Sequence, residues 1–261
     1  NILGAVSGIK LLLGSPPWML VLILGLMAGF LLLIPSVKSI ARVLGAIVAI
    51  MGVIFLVSAI ATKPQPGDLL GGMIRPIIPL NRGGGLLVLG LIGTTVVPYN
   101  LFLGSGLSKD QTLGEMRSGL FIAVILGGII SMAVLVTGSS MIGEFSFEGL
   151  AHSLDPYVWN AGTWVLGMGL LAAGFTSAVT APLASAITVR SLFGEKNPRQ
   201  WKDGSMRFRS VWISILVLGM GFGMAGFKPV PAIIIAQALN GLILPVIAVF
   251  LFYAVNNRDL M

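Results

Sequence analysis

The chain has 261 residues, 56% of them hydrophobic and 10% charged, with a mean hydropathy of +0.99. Soluble domains carry about 25% charged residues, so a water-soluble globular fold is excluded. The absence of cysteine removes disulfides, thiolate metal ligands and a thiol nucleophile. A net charge of +7 would suggest nucleic acid in a soluble chain. Here it reads as topology, because Lys and Arg concentrate on the cytoplasmic side of membrane proteins, and no nucleic-acid partner is expected.

Uncharged runs cover Leu11–Val37, Val43–Thr62, Gly83–Ser108, Ser118–Gly143, Pro156–Val189, Ser210–Phe227 and Pro229–Asn257. Each approaches or exceeds the roughly 20 residues a helix needs to cross the hydrocarbon core. The fold class is therefore an all-α polytopic membrane protein, read as a single transmembrane domain over residues 1–261. The chain opens in mid-hydrophobic sequence at Asn1 without a Met, as a fragment would. Residues 1–13 are expected to be a partial span, ended by Gly14-Ser15-Pro16-Pro17.

Full spans are expected at about residues 18–34, with Trp18 as an interface anchor, and 40–61. Residues 62–85 form an outer loop whose Pro64, Pro66, Pro76 and Pro79 oppose continuous helix. A broken span follows over about 86–107, then one over 118–141 and an amphipathic surface segment over 144–157. A span at 164–187, a basic connecting loop at 190–209, and spans at 211–227 and 230–253 complete the chain. Alternate loops on one side carry Lys38, Arg42, Lys109, Arg117, Arg190, Lys196, Arg199, Lys202, Arg207, Arg209 and Arg258, against Lys10, Lys63, Arg75, Arg82 and Lys228 on the other. That bias favours seven full spans and a cytoplasmic C-terminus. The basic 190–209 loop suits anionic membrane lipid, although the topological bias alone accounts for it.

The acidic residues Asp68, Asp110, Glu115, Glu144, Glu148, Asp155, Glu195, Asp203 and Asp259 all fall in predicted loops or tails, and the lone His152 lies in the outer surface segment. Acid–base catalysis needs titratable groups within hydrogen-bond reach, so an enzyme is not expected and no cofactor is implied. The informative stretch is Gly93 to Ser105, where Pro98 and flanking polar residues interrupt an uncharged span. A helix break at membrane depth persists only if it is buried in protein or lines a cavity, and such breaks hold ions or solutes in secondary transporters. The carbonyls from Thr94 to Val97, the Thr94 and Thr95 hydroxyls and Asn100 are oxygen donors of the kind hard cations take. A proline kink with its backbone re-satisfied locally is the alternative.

Gly174, Ser177, Ala178, Ala181 and Ser185 form a small-residue stripe suited to close helix packing, as do Gly219 and Gly223. Thr176 and Thr180 put hydroxyls on a neighbouring face. Gln237 and Asn240, one turn apart before Pro245, are uncharged amides that must face the bundle or a cavity.

These residues carry a resemblance. Pro98-Tyr99-Asn100-Leu101-Phe102-Leu103-Gly104-Ser105 resembles the sixth-helix motif Met-Pro-His-Asn-Leu-Tyr-Leu-His-Ser of the Nramp divalent-metal transporters. Gly14 to Trp18 resembles the family's Gly-Ile-Pro-Leu-Trp, and Leu170 to Ser177 its eighth-helix Leu-Leu-Ala-Ser-Gly-Gln-Ser-Ser. Gln237 to Pro245 and Tyr253 to Asp259 are similar to its tenth helix and Asn-rich end.

The resemblance implies a LeuT-like inverted-repeat transporter fold, incomplete at the N-terminus and covering the end of the third helix through the tenth. It implies alternating access, divalent metal ions as substrate, protons as coupled partner and a bacterial or archaeal plasma membrane. The metal-site positions become Thr94, Val97, Asn100, Gln237 and Asn240. The pathway positions become Asn1, Tyr99, Thr176 and Thr180. The family's metal-binding methionine falls at Val97, its two motif histidines at Tyr99 and Gly104, a third-helix glutamate at Asn1 and a tenth-helix glutamine at Ile243. Loss of a soft thioether weakens the preference for Mn²⁺ and Fe²⁺ over Mg²⁺. The other replacements remove groups that would move protons. A small organic solute, or a membrane partner protein that has lost transport, are the alternative readings.

Overall fold

The computed structural model describes residues 1–34, 36–75, 77, 83–107, 111–141, 145–194 and 198–257. Pro76, Pro79, Arg82, Ser108, Lys109, Asp110, Gly143, Glu144, Glu195, Lys196, Arg258 and Asp259, named above, lie outside the described residues. The rest is helical, with no strand among the described residues. The helices are α1 (Ile2–Leu13), α2 (Pro17–Leu32), α3 (Val37–Ala61), α4 (Pro66–Ile74), α5 (Gly84–Thr95), α6 (Pro98–Leu107), α7 (Leu113–Ser139), α8 (Phe147–Leu154), α9 (Gly162–Phe193), α10 (Met206–Met224) and α11 (Pro229–Asn256).

Six helical stretches are long and apolar enough to cross a membrane: Lys38–Ala61, Gly84–Leu101, Leu113–Ser139, Gly162–Phe193, Pro198–Met224 and Pro229–Asn256. The protein is an all-α polytopic membrane protein. Helix α2, expected as a full span, is apolar but 16 residues long, about 24 Å at a rise of ~1.5 Å per residue. It starts at Pro17, where the missing N–H costs nothing in a first helical turn.

Local chemistry sets most helix ends. Gly14 closes α1 in the left-handed conformation (φ 64°). Thr112 and Glu115 form a reciprocal capping box at α7. The loop expected at 62–85 holds a helix of its own, α4, begun by Pro66. The connector expected at 190–209 is shorter than its composition suggests. Helix α9 continues to Phe193, and Arg190 in its last turn suits the negative helix end. The Ser205 hydroxyl accepts from the Phe208 N–H at 3.3 Å and starts α10 early.

Helix α9 is the hub, touching α1, α2, α3, α6, α8 and α10. Its contact with α1 is backbone against backbone. A Cβ on Gly8 would lie 2.4 Å from the Gly167 carbonyl oxygen, and one on Gly174 would lie 2.2 Å from the Ala5 nitrogen. The stripe read from the sequence thus packs helices, as its small residues suggest. Around this pair a core of Val6, Leu20, Leu24, Ile40, Val179, Ile187, Phe208 and Trp212 joins α1, α2, α3, α9 and α10. Helix α7, by contrast, packs mainly on α3 and is exposed along most of its length.

Candidate functional site: a broken helix beside an amide pair

The helix breaks where the sequence places it. Helix α5 stops at Thr95; Val96 (φ −121°, ψ 86°) leaves helical space, and α6 restarts at Pro98. In an unbroken helix the Thr94 carbonyl would accept from residue 98, but proline has no N–H to donate. The C-terminal carbonyls of α5 therefore face the break with the negative end of the helix dipole, which favours a cation. The Asn100 N–H donates to the Val97 carbonyl at 3.0 Å, capping the first turn of α6. The Thr94 and Thr95 hydroxyls both donate back to the Leu91 carbonyl at 2.9 Å, so each oxygen keeps lone pairs for a ligand. Thr94 and Asn100 are exposed, whereas Val97 is buried.

Helix α11 lies against this break through two glycines. A Cβ on Gly93 would sit 1.8 Å from the Gln237 carbonyl oxygen, and one on Gly241 would sit 2.5 Å from that of Leu89. Only hydrogen-bearing Cα atoms fit at this crossing, which sets the Gln237–Gly241 turn directly beside the residue preceding Thr94. There the Asn240 Nδ2 donates to the Gln237 Oε1 at 2.8 Å. The pairing satisfies one amide oxygen away from water and leaves the Asn240 Oδ1 and the Gln237 amide nitrogen to face other groups. Gly93 and Gly241 carry no distinguishing signal in the sequence, because a glycine within an apolar span looks alike whether or not a second backbone touches it.

The pathway positions divide. The Tyr99 phenol hydrogen-bonds the Asn1 side chain, and the Asn1 Nδ2 reaches the Ser177 carbonyl at a long 3.5 Å. This polar thread links α6, α1 and α9, and Ser177 enters it although the sequence marks that residue only for packing. Thr176 is buried and Thr180 half-buried, and both hydroxyls are spent on carbonyls of α9 itself, Thr176 on Ala172 at 2.8 Å and Thr180 on Thr176 at 2.7 Å. Among the described residues neither hydroxyl has a hydrogen-bond partner outside α9.

Two cavities adjoin Asn1. One of about 180 Å³ lies between α1, α9 and α10 and includes Ser177, Ala181 and Gly219. The other, about 480 Å³, lies between α1, α10 and α11 and includes Gln237, Phe222 and Ile233. Asn1, Leu3 and Phe222 line both. Their walls are uncharged, and among the described residues no three His, Asp or Glu side chains converge as a metal cluster. A cation held at the break would be held by neutral oxygens from this chain.

A bundle of apolar helices thus has one span interrupted at a proline, with a helix that carries paired amides packed against it. The family model described as "Natural resistance-associated macrophage protein-like" matches residues 1–261, and the chain belongs to the Nramp family, with its LeuT-like fold. Among curated proteins it is 24% identical over 253 residues to the divalent metal cation transporter MntH of Erwinia tasmaniensis, covering 91% of this chain and 59% of that protein. It is likewise 24% identical over 274 residues to MntH of Yersinia pestis, covering 99% and 64%. The chain thus spans about three fifths of the length of these relatives.

Proposed function

We propose that the protein is a secondary transporter of divalent metal cations working by alternating access, with its ion site at the α5–α6 break. The observation that supports this reading is the Gly93–Gly241 crossing, which packs the Gln237–Gly241 turn of α11 against the end of the helix that carries Thr94. The relatives named as divalent metal cation transporters support the substrate class. Neutral carbonyl and amide oxygens without sulfur suit a hard ion, so the proposal extends to Mg²⁺ as well as Mn²⁺. With Tyr99 and Asn1 where the family resemblance implies a histidine and a glutamate, proton movement along α1 and α6 is not part of the proposal.

The test is Mn²⁺ uptake, with Mg²⁺ as competitor, into liposomes holding the protein as its gene encodes it. Uptake of Mn²⁺ that excess Mg²⁺ suppresses is the expected result. Absence of uptake for both ions overturns the metal reading in favour of an organic solute at the same break.

A further inference from the structure

The α9–α10 connector has chemistry that the ion site does not use. It lies at the end of the bundle where α2 and α9 finish and α3 and α10 begin, since Leu32, Ile40, Ile187 and Phe208 share one core there. Arg190 pairs with the Asp203 carboxylate and lies 5.4 Å over the Phe208 ring. That clasp folds the connector back onto the helix ends and uses the connector's described acidic group. Among the described residues, Arg199, Lys202, Arg207 and Arg209 have no carboxylate within ion-pair distance.

Two further observations separate this connector from an ordinary basic loop in water. Large apolar side chains stand exposed among the cations: Leu192 is 70% exposed, Phe193 61% and Met206 82%, with Phe193 stacked on Trp201 at 6.3 Å. In addition, Arg199, Lys202 and Arg207 are themselves exposed beside these apolar groups. Apolar groups interleaved with cations are the pattern of a segment lying in a membrane interface, and basic groups at that depth attract anionic headgroups.

We infer that residues 198–207, with the end of α9 at Leu192 and Phe193, lie in the headgroup layer and form a binding surface for anionic phospholipid. Leu192, Phe193 and Met206 enter the acyl boundary, and the exposed Arg199, Lys202 and Arg207 face the phosphates. The cation count alone follows from topology; the exposed apolar residues set among the cations do not. The inference is independent of which ion the protein moves.

The test places the protein, as its gene encodes it, in phosphatidylcholine nanodiscs containing brominated phosphatidylglycerol or brominated phosphatidylcholine at equal mole fraction. Trp201 quenching is taken as the difference from Trp201→Phe. The anionic probe is expected to quench Trp201 about twice as strongly as the neutral one. Combined Arg199→Gln, Lys202→Gln and Arg207→Gln should make the two probes equal, while Arg199→Lys, Lys202→Arg and Arg207→Lys should keep the preference. Equal quenching in the unaltered protein removes the headgroup site. No quenching by either probe means that the connector stands in water, and the inference fails entirely.

Discussion

Val97 is the position at which this chain departs most consequentially from the Nramp motif. It sits in the extended link between α5 and α6, and its side chain is 7% exposed. Val97→Met would return a polarisable sulfur to the break at the cost of extra volume in a packed position, roughly 1–3 kcal/mol where the core cannot shift. The expected outcome is a stronger preference for Mn²⁺ over Mg²⁺, by about tenfold or roughly 1.4 kcal/mol, read from competition curves in liposomes. Unchanged competition by Mg²⁺ would mean that the ion does not meet residue 97. The same residues show why a site can be only half read from a sequence. Pro98 announces the break by its own chemistry, and the polar residues around it stand out against an apolar span. Whether the Thr94 hydroxyl faces a ligand or its own helix is decided by a rotamer, and the structure turns it toward Leu91.

Helices pair here through contacts that are silent in any one of them. The α5–α11 crossing depends on Gly93 and Gly241, far apart in the chain, and the two positions look like many other glycines in these spans. Gly93→Ala pushes a methyl into the Gln237 carbonyl, where no side chain can swing aside. The variant should lose thermal stability in detergent, at or above the top of the roughly 1–3 kcal/mol range for overpacking. Gly219→Ala, whose added methyl meets nothing within 4 Å, should leave stability within about 0.5 kcal/mol of the unaltered protein. If both variants melt alike, the close crossing does not exist in the membrane. Helix extents were legible from hydropathy, but their ends moved where local chemistry outweighed composition, as with α10 starting at its Ser205 cap and α4 starting at Pro66 inside a proline-rich loop.

Across the whole molecule, the charge bias sets a direction that labelling can check. The absence of cysteine makes single substitutions clean reporters. Asn257→Cys is expected to resist a membrane-impermeant maleimide in intact cells, and Gln65→Cys is expected to react. Reaction of both would put the two positions on one side and reverse the count of spans between them. The packing adds a mechanical statement. Main chain meets main chain between α1 and α9, and again between α5 and α11, so neither pair has rotamers with which to creep. Under the alternating access proposed above, each pair would travel as one welded spar. The 480 Å³ void between α1, α10 and α11, with Gln237 on its wall, would then be the seam where one spar tilts against the other.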